Sequence, residues 1–142
     1  MTTFEGSIKI LDNVTFKTVW HNTNKERKPE FHATIATIDV DHVLGLMVTG
    51  GDLGKILLID PFGMGLLQAK KGHNDSPIVS IFIYRQQQQI IAVTEDRTVL
   101  IMNAFTMEKI QVIRDHDSTL HSERYTGAEF DMESGKLWTS CY

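Results

Sequence analysis

Asp60-Pro61-Phe62-Gly63-Met64 recurs as Asn103-Ala104-Phe105-Thr106-Met107, an offset of 43 residues. The same offset carries Gln68 onto Gln111, Lys71 onto Arg114, and Gly72-His73-Asn74 onto Asp115-His116-Asp117. Upstream, Val48-Thr49-Gly50 aligns with Val93-Thr94-Glu95 at an offset of 45, which implies a two-residue insertion in the Gly50–Lys55 turn. A third copy lies near the N-terminus. There, Gly6-Ser7-Ile8-Lys9-Ile10-Leu11-Asp12 matches Gly54-Lys55-Ile56-Leu57-Leu58-Ile59-Asp60 and Arg97-Thr98-Val99-Leu100-Ile101-Met102-Asn103. A repeat of this length marks a chain of stacked supersecondary units, each burying its apolar faces against its neighbours.

Within each unit the pattern is that of strands: runs of four to seven residues rich in Ile, Val, Phe and Thr, divided by turn residues. In the clearest unit the strands are Ile78–Ile83, Ile90–Thr94, Val99–Met102 and Lys109–Ile113, with a polar tract Gln86–Gln89 and a tight turn at Glu95-Asp96-Arg97. The preceding unit offers Ala33–Val40, Val43–Thr49, Ile56–Ile59 and Leu66–Ala69. Many positions are apolar on both faces, as in sheets packed on both sides. Four short antiparallel strands per unit make one blade of a β-propeller. The expected organisation is one partial propeller over residues 1–142. It comprises a half-blade at 4–20, blades at 31–71 and 72–114, and a half-blade at 125–142. The first half supplies strands three and four (Ile8–Leu11, Val14–Val19). The last supplies strands one and two (Gly127–Asp131, Lys136–Ser140).

These residues resemble the WD-repeat (WD40) family, whose blades open with Gly-His and close the third strand with Trp-Asp. Gly72-His73 matches the opening, and His116 occupies the equivalent place one unit later. Asp96 matches the aspartate of the turn between strands two and three, and Thr94 the hydroxyl residue before it. The resemblance implies a buried hydrogen-bonded set built from such a His, hydroxyl and Asp. It departs at the Trp, which is Met102 here and is followed by Asn103, while the other units carry Leu11-Asp12 and Ile59-Asp60. The fold class it implies is all-β, a partial WD40-type β-propeller. A narrower resemblance, to the WD-repeat proteins of ciliary and flagellar axonemes, rests on Val43–Gly51 and on the loop Arg114–Arg124. It implies a place on microtubule doublets or radial spokes, and no EF-hand calcium loop accompanies it.

Two blades and two half-blades are fewer than a closed ring needs. The end sheets should expose apolar faces and unpaired edges. A stable isolated monomer is therefore not expected. The chain is expected to be a fragment of a longer protein, to complete a ring begun by another chain, or to self-associate.

Composition narrows the partners. With 14 Lys and Arg against 18 Asp and Glu, the net charge of −4 lacks the basic face that phosphate backbones require, so no nucleic acid is expected. No apolar run reaches the roughly 20 residues of a spanning helix, so no membrane partner is expected. A single cysteine, Cys141, cannot close an internal disulfide, and the N-terminus shows no apolar signal core. A cytoplasmic location fits, and the narrower resemblance would place it in the axonemal cytoskeleton.

No catalytic, cofactor-binding or metal site is expected. His73 and His116 lack a ligand spacing. Asp39-Val40-Asp41-His42 falls where a turn should lie, and its carboxylates suit that turn. Thr49–Lys55 fails the phosphate-loop pattern at both ends and opens no helix. Ser118 and Ser122, beside His116 and His121, lack the strained turn that exposes a hydrolase serine. Of the two tryptophans, Trp138 is expected in the core, and Trp20, at a strand end, is a candidate partner anchor. The expected function is a non-catalytic protein-interaction scaffold, a structural subunit of the axoneme. An adaptor in a ubiquitin-ligase or trafficking complex is the alternative, and a propeller hydrolase the last choice.

Overall fold

Runs of branched apolar residues broken by Asp-, Asn- and Gly-bearing turns can only zip up with their sequence neighbours, and every strand pairing is of this kind. The computed structural model describes residues 8–21, 35–72, 74–115 and 123–141. Strands β1 (Lys9–Leu11) and β2 (Thr18–His21) form a hairpin. A four-stranded sheet follows, made of β3 (Ile35–Asp41), β4 (Leu46–Gly51), β5 (Lys55–Ile59) and β6 (Leu66–Lys71). A second contains β7 (Ile78–Tyr84), β8 (Gln89–Thr94), β9 (Thr98–Asn103) and β10 (Lys109–Arg114). A last hairpin joins β11 (Tyr125–Asp131) to β12 (Lys136–Cys141). All pairings are antiparallel, in the order of the sequence. The chain is all-β, a partial propeller.

Register corrects one reading of the repeat. Met47 faces Ile59 across the ladder as Ile90 faces Met102, and Gly50 faces Ile56 as Val93 faces Val99. Lys55 faces Lys71 as Thr98 faces Arg114. The offset of 43 therefore runs unbroken through the blade, and the expected two-residue insertion does not exist. Thr94 corresponds to Gly51. The resemblance of Val48-Thr49-Gly50 to Val93-Thr94-Glu95 is a slip by two. A slip by two returns each side chain to its own face, so the apolar pattern could not expose it. Each first strand also bulges at the same point, between Ile35 and Thr37, Ile78 and Ser80, and Tyr125 and Gly127.

One turn recurs along the chain. At the end of the third strands, the side chains of Asp12, Asp60 and Asn103 accept backbone N–H groups two or three residues ahead. A left-handed residue closes the turn at Phe16, Met64 and Met107, whose N–H returns to the backbone carbonyl of the residue that opened it. Asp41 and Asp131 open the same turn after the first strands, closed by Gly45 and Gly135. Here Asx side chains take over hydrogen bonds that a free strand end would leave open. This turn moves two expected strands. β2 starts at Thr18 rather than Val14, and β4 at Leu46 rather than Val43, because the intervening residues are spent on Asp12–Phe16 and Asp41–Gly45.

Alternation then sorts side chains between two cores. Leu46 and Val48 of β4 and Ile56 and Leu58 of β5 point into a cluster with Ile81, Ile83, Ile90, Ala92, Leu100 and Met102 of the next sheet. Met47, Leu57 and Ile59 point the other way and pack with Ile8 beside the first hairpin. The first strands line up along the stack, with β3 against β7 and β7 against β11. At the far end Phe82 and Tyr84 of β7 meet Phe130 of β11, the Tyr84 ring edge-on at 4.9 Å.

The order of the stack corrects the expectation for Trp138. Its equivalents by register, Val48 and Ile91, are 0% and 5% exposed because a following blade covers them. No sheet of the described residues follows β12, and Trp138 is 64% exposed.

Candidate protein-interaction surfaces

The meander places the turns after strands one and three at one rim and the turns after strands two and four at the other. The second rim holds the residues that the repeat singled out. The Thr94 hydroxyl donates to the Asp96 carboxylate and lies 2.9 Å from the Thr98 carbonyl oxygen, and the Thr98 N–H donates to the Thr94 hydroxyl. Asn74 Nδ2 donates to the other Asp96 oxygen at 2.9 Å, and the Asp96 N–H donates to the Ser76 hydroxyl. Thr94, Asp96, Asn74 and Ser76 thus tie the second-to-third-strand turn to the link entering the blade. His73 and His116 lie outside the described residues. The first blade cannot build this set, because Gly51, Leu53 and Lys55 stand where Thr94, Asp96 and Thr98 would be.

The Asp39–His42 segment is not only a turn. Asp39 lies within β3, and its Oδ2 accepts the N–H of Ile83 in the next blade at 2.7 Å. Asp41 is buried. Its Oδ1 caps the turn by accepting the Val43 and Leu44 N–H groups, while its Oδ2 receives Arg85 Nε at 2.6 Å. Ser80 repeats the device one blade on, its hydroxyl accepting the Ala128 N–H at 2.9 Å. Sequence reading missed these three contacts between blades. A carboxylate that ends one first strand and an arginine at the end of the next was the available signal.

Electrostatics follow from these bonds. Burial pushes the Asp41 carboxyl up, but the Leu44 N–H, Arg85 and the Val43 N–H outweigh it and hold the group below its ordinary value. At Asp96 burial is likewise outweighed by Thr94, Asn74 and Thr98. Bonds from the Thr15 backbone and side chain lower Asp12, and bonds from Ser134 and Glu133 lower Asp131. Burial pushes the Tyr125 phenol up. Each lowered carboxyl is accounted for by a turn or an inter-blade bond, and none stands poised as an acid or base. Among the described residues no group of three or more His, Cys, Asp or Glu could hold a metal ion.

These shifts fix a sign. Native carboxyls held below the unfolded value bind protons less readily than the unfolded chain does. Their stabilisation is complete above the unfolded value of about 4 and is lost as pH falls through the lower native values. The urea midpoint should therefore be flat from pH 7 to 5 and fall from pH 4 to 2. Asp41→Asn should give a shallower fall; an unchanged slope would show that the Asp41–Arg85 contact contributes nothing.

The first rim carries exposed apolar residues among its polar turn residues. Val14, Phe62 and Phe105 occupy the same place in three successive turns, and Phe16 and Val43 stand beside them. All five are between 47% and 80% exposed. His42 lies against Phe62 with ring centroids 6.1 Å apart, and the Ala104 N–H donates to the Gln88 carbonyl, so within each whole blade the two turns of this rim touch. Scattered exposed hydrophobics are ordinary; what sets these apart is that three of them recur at one position of the repeated turn. The repeat carried this signal, since Phe62 and Phe105 differ by 43. The Trp20 backbone lies in β2, but its side chain is outside the described residues.

No family model matches the chain, and no curated protein matches it. Among solved structures it is similar to the β-propeller domain of Cps50 (Swd1) from Myceliophteria thermophila. The two share 14% identity at a TM-score of 0.59, over 76% of this chain. The matched part spans 31% of that domain's chain, about a third of its length. In all, 695 solved chains match, so the likeness identifies an architecture and singles out no activity.

Proposed function

We infer that the chain is a non-catalytic scaffold whose first rim docks other proteins. The observation that carries this reading is the row Val14, Phe62 and Phe105 with Phe16 and Val43. A stacked array spends its apolar residues on its neighbours, whereas these five are held outward on rigid, Asx-capped turns. Both acidic residues (Asp60, Glu108) and basic ones (Lys17, Lys109) lie at or beside the same turns. The rim therefore suits a partner offering apolar side chains among polar ones. The finer reading is a structural subunit of the ciliary or flagellar axoneme, supported by the resemblance of Val43–Gly51, a segment that includes the rim residue Val43. The alternative is an adaptor in a ligase or trafficking complex.

The test is retention of a fluorescently tagged chain on detergent-extracted axonemes of ciliated cells. The expected result is label along the axoneme, lost when Val43, Phe62 and Phe105 are all changed to Ser. The exposed sites should leave the melting temperature within a few degrees of the parent. Label absent from axonemes, with partners still captured through the rim, would favour the adaptor. Retention unaffected by the triple change would overturn the rim.

A further inference from the structure

We propose that Ser76 is a phosphorylation site for a proline-directed protein kinase, and that phosphate on its hydroxyl loosens the joint between the two whole blades. This goes beyond the docking role of the first rim and does not depend on it.

The sequence offers one such site. Of the three prolines, Pro29 follows Lys28 and Pro61 follows Asp60, whereas Pro77 follows Ser76. Proline has no N–H and a fixed φ. A kinase pocket without a hydrogen-bond acceptor therefore takes Pro just after the target residue, while any other residue leaves a donor unpaired there. Proline also biases the residue before it towards extended backbone, the form that a kinase cleft binds. Residues 74–77 lie outside the strands. Asn74 and Asp75 are exposed, and Ser76 and Pro77 are half-buried.

The segment is fastened to both blades. The Gly72 N–H donates to the Gly54 carbonyl, in the turn between β4 and β5, at 2.7 Å. On the other side the Ser76 hydroxyl accepts the Asp96 N–H at 3.1 Å, and the Pro77 carbonyl accepts the Glu95 N–H at 2.9 Å. Asn74 Nδ2 adds its bond to the Asp96 carboxylate. Ser76 thus holds the joint through the atom that a kinase would modify. In the transfer, Ser76 Oγ attacks the γ-phosphorus of ATP, its proton passes to the catalytic carboxylate of the kinase, and the bond to the departing ADP breaks. The product carries a charge of about −1.5 to −2 at pH 7. It stands next to Asp75, whose carboxylate already engages Lys71, and next to Asp96 through the bond that it replaces. Phosphate among carboxylates disrupts by repulsion. The Asp96 N–H cannot turn to a phosphate oxygen without bringing that charge towards the carboxylate of its own residue. By register the equivalents of Ser76 are Ala33 and Glu123, so the device belongs to this one joint.

The test treats the whole chain with a mitogen-activated protein kinase and magnesium ATP, and maps the phosphate by mass spectrometry. The expected result is one phosphate, at Ser76, absent from Ser76→Ala. Hydrogen exchange then reads the joint. The Asp96 amide should exchange about tenfold faster in the phosphorylated chain, the factor that one lost hydrogen bond carries. A second variant approaches the same joint from outside the sequence that the kinase reads. Asp96→Ala frees Asn74 and should raise the initial rate of phosphorylation about threefold or more, with the urea midpoint confirming that the chain stays folded. Phosphate on other residues, or none on the folded chain, would overturn the site. Unchanged or slower exchange at Asp96 would overturn the loosening, as would an Asp96→Ala rate equal to that of the parent.

Discussion

Gly54→Ala should lower the unfolding free energy by about 2–5 kcal/mol, read as a fall in the urea midpoint at constant slope. Gly54 closes the turn between β4 and β5 in the left-handed region, at φ +67°. A methyl group there would lie 2.3 Å from the backbone oxygen of Asn74 and 3.1 Å from that of Ser76. The obstacle is main chain, held by the Asn74 and Ser76 bonds to Asp96, so it cannot swing aside. The equivalent residue one blade on is Arg97, also left-handed at φ 64°. Arg97→Gly should change stability by less than about 1 kcal/mol, and in the stabilising direction. Equal losses at the two sites would mean that the close approach of the Asn74 carbonyl is not what makes Gly54 necessary.

Ile83→Ala should cost about 2–5 kcal/mol, the range for emptying a fully buried aliphatic site. Ile83 is 0% exposed, and its side chain joins the core shared by the two whole blades while its N–H is bonded to Asp39. The backbone bond survives the substitution, so the loss reports packing alone. Val40, its equivalent in the first blade, is 38% exposed. Val40→Ala should cost under about 1 kcal/mol. Equal costs at the two positions would contradict the difference in burial between them.

Much of the architecture was legible because periodicity and repetition report the same thing independently. The recurrence of Asp60–Met64 as Asn103–Met107 gave the blade length, and alternation within each run gave the strands. Strand starts were legible only in part. Val14 and Val43 look like strand residues, yet each is an outward residue of an Asx-capped turn, and propensity cannot tell a turn valine from a strand valine. The slip at Val48–Gly50 shows another limit, because an error of two residues leaves the face pattern intact. Trp138 was misread because burial depends on what lies beyond the strand, and hydrophobicity in sequence does not reveal whether a neighbour is present. Contacts between blades, such as Asp41 with Arg85, join positions 44 residues apart. They depend on how the sheets stack, which no single unit encodes.

The uninterrupted 43-residue offset bears on how such a chain can change over time. Because register, bulge and turn repeat at one spacing across the two whole blades, duplicating the 43 residues of one of them returns every downstream strand to the same partner and the same face. Splice points need not fall in loops. Unequal crossing-over between neighbouring units would add or remove a whole blade without creating a misfitted seam. Point changes such as Gly51 for Thr94 can then accumulate in one copy while the other keeps the geometry.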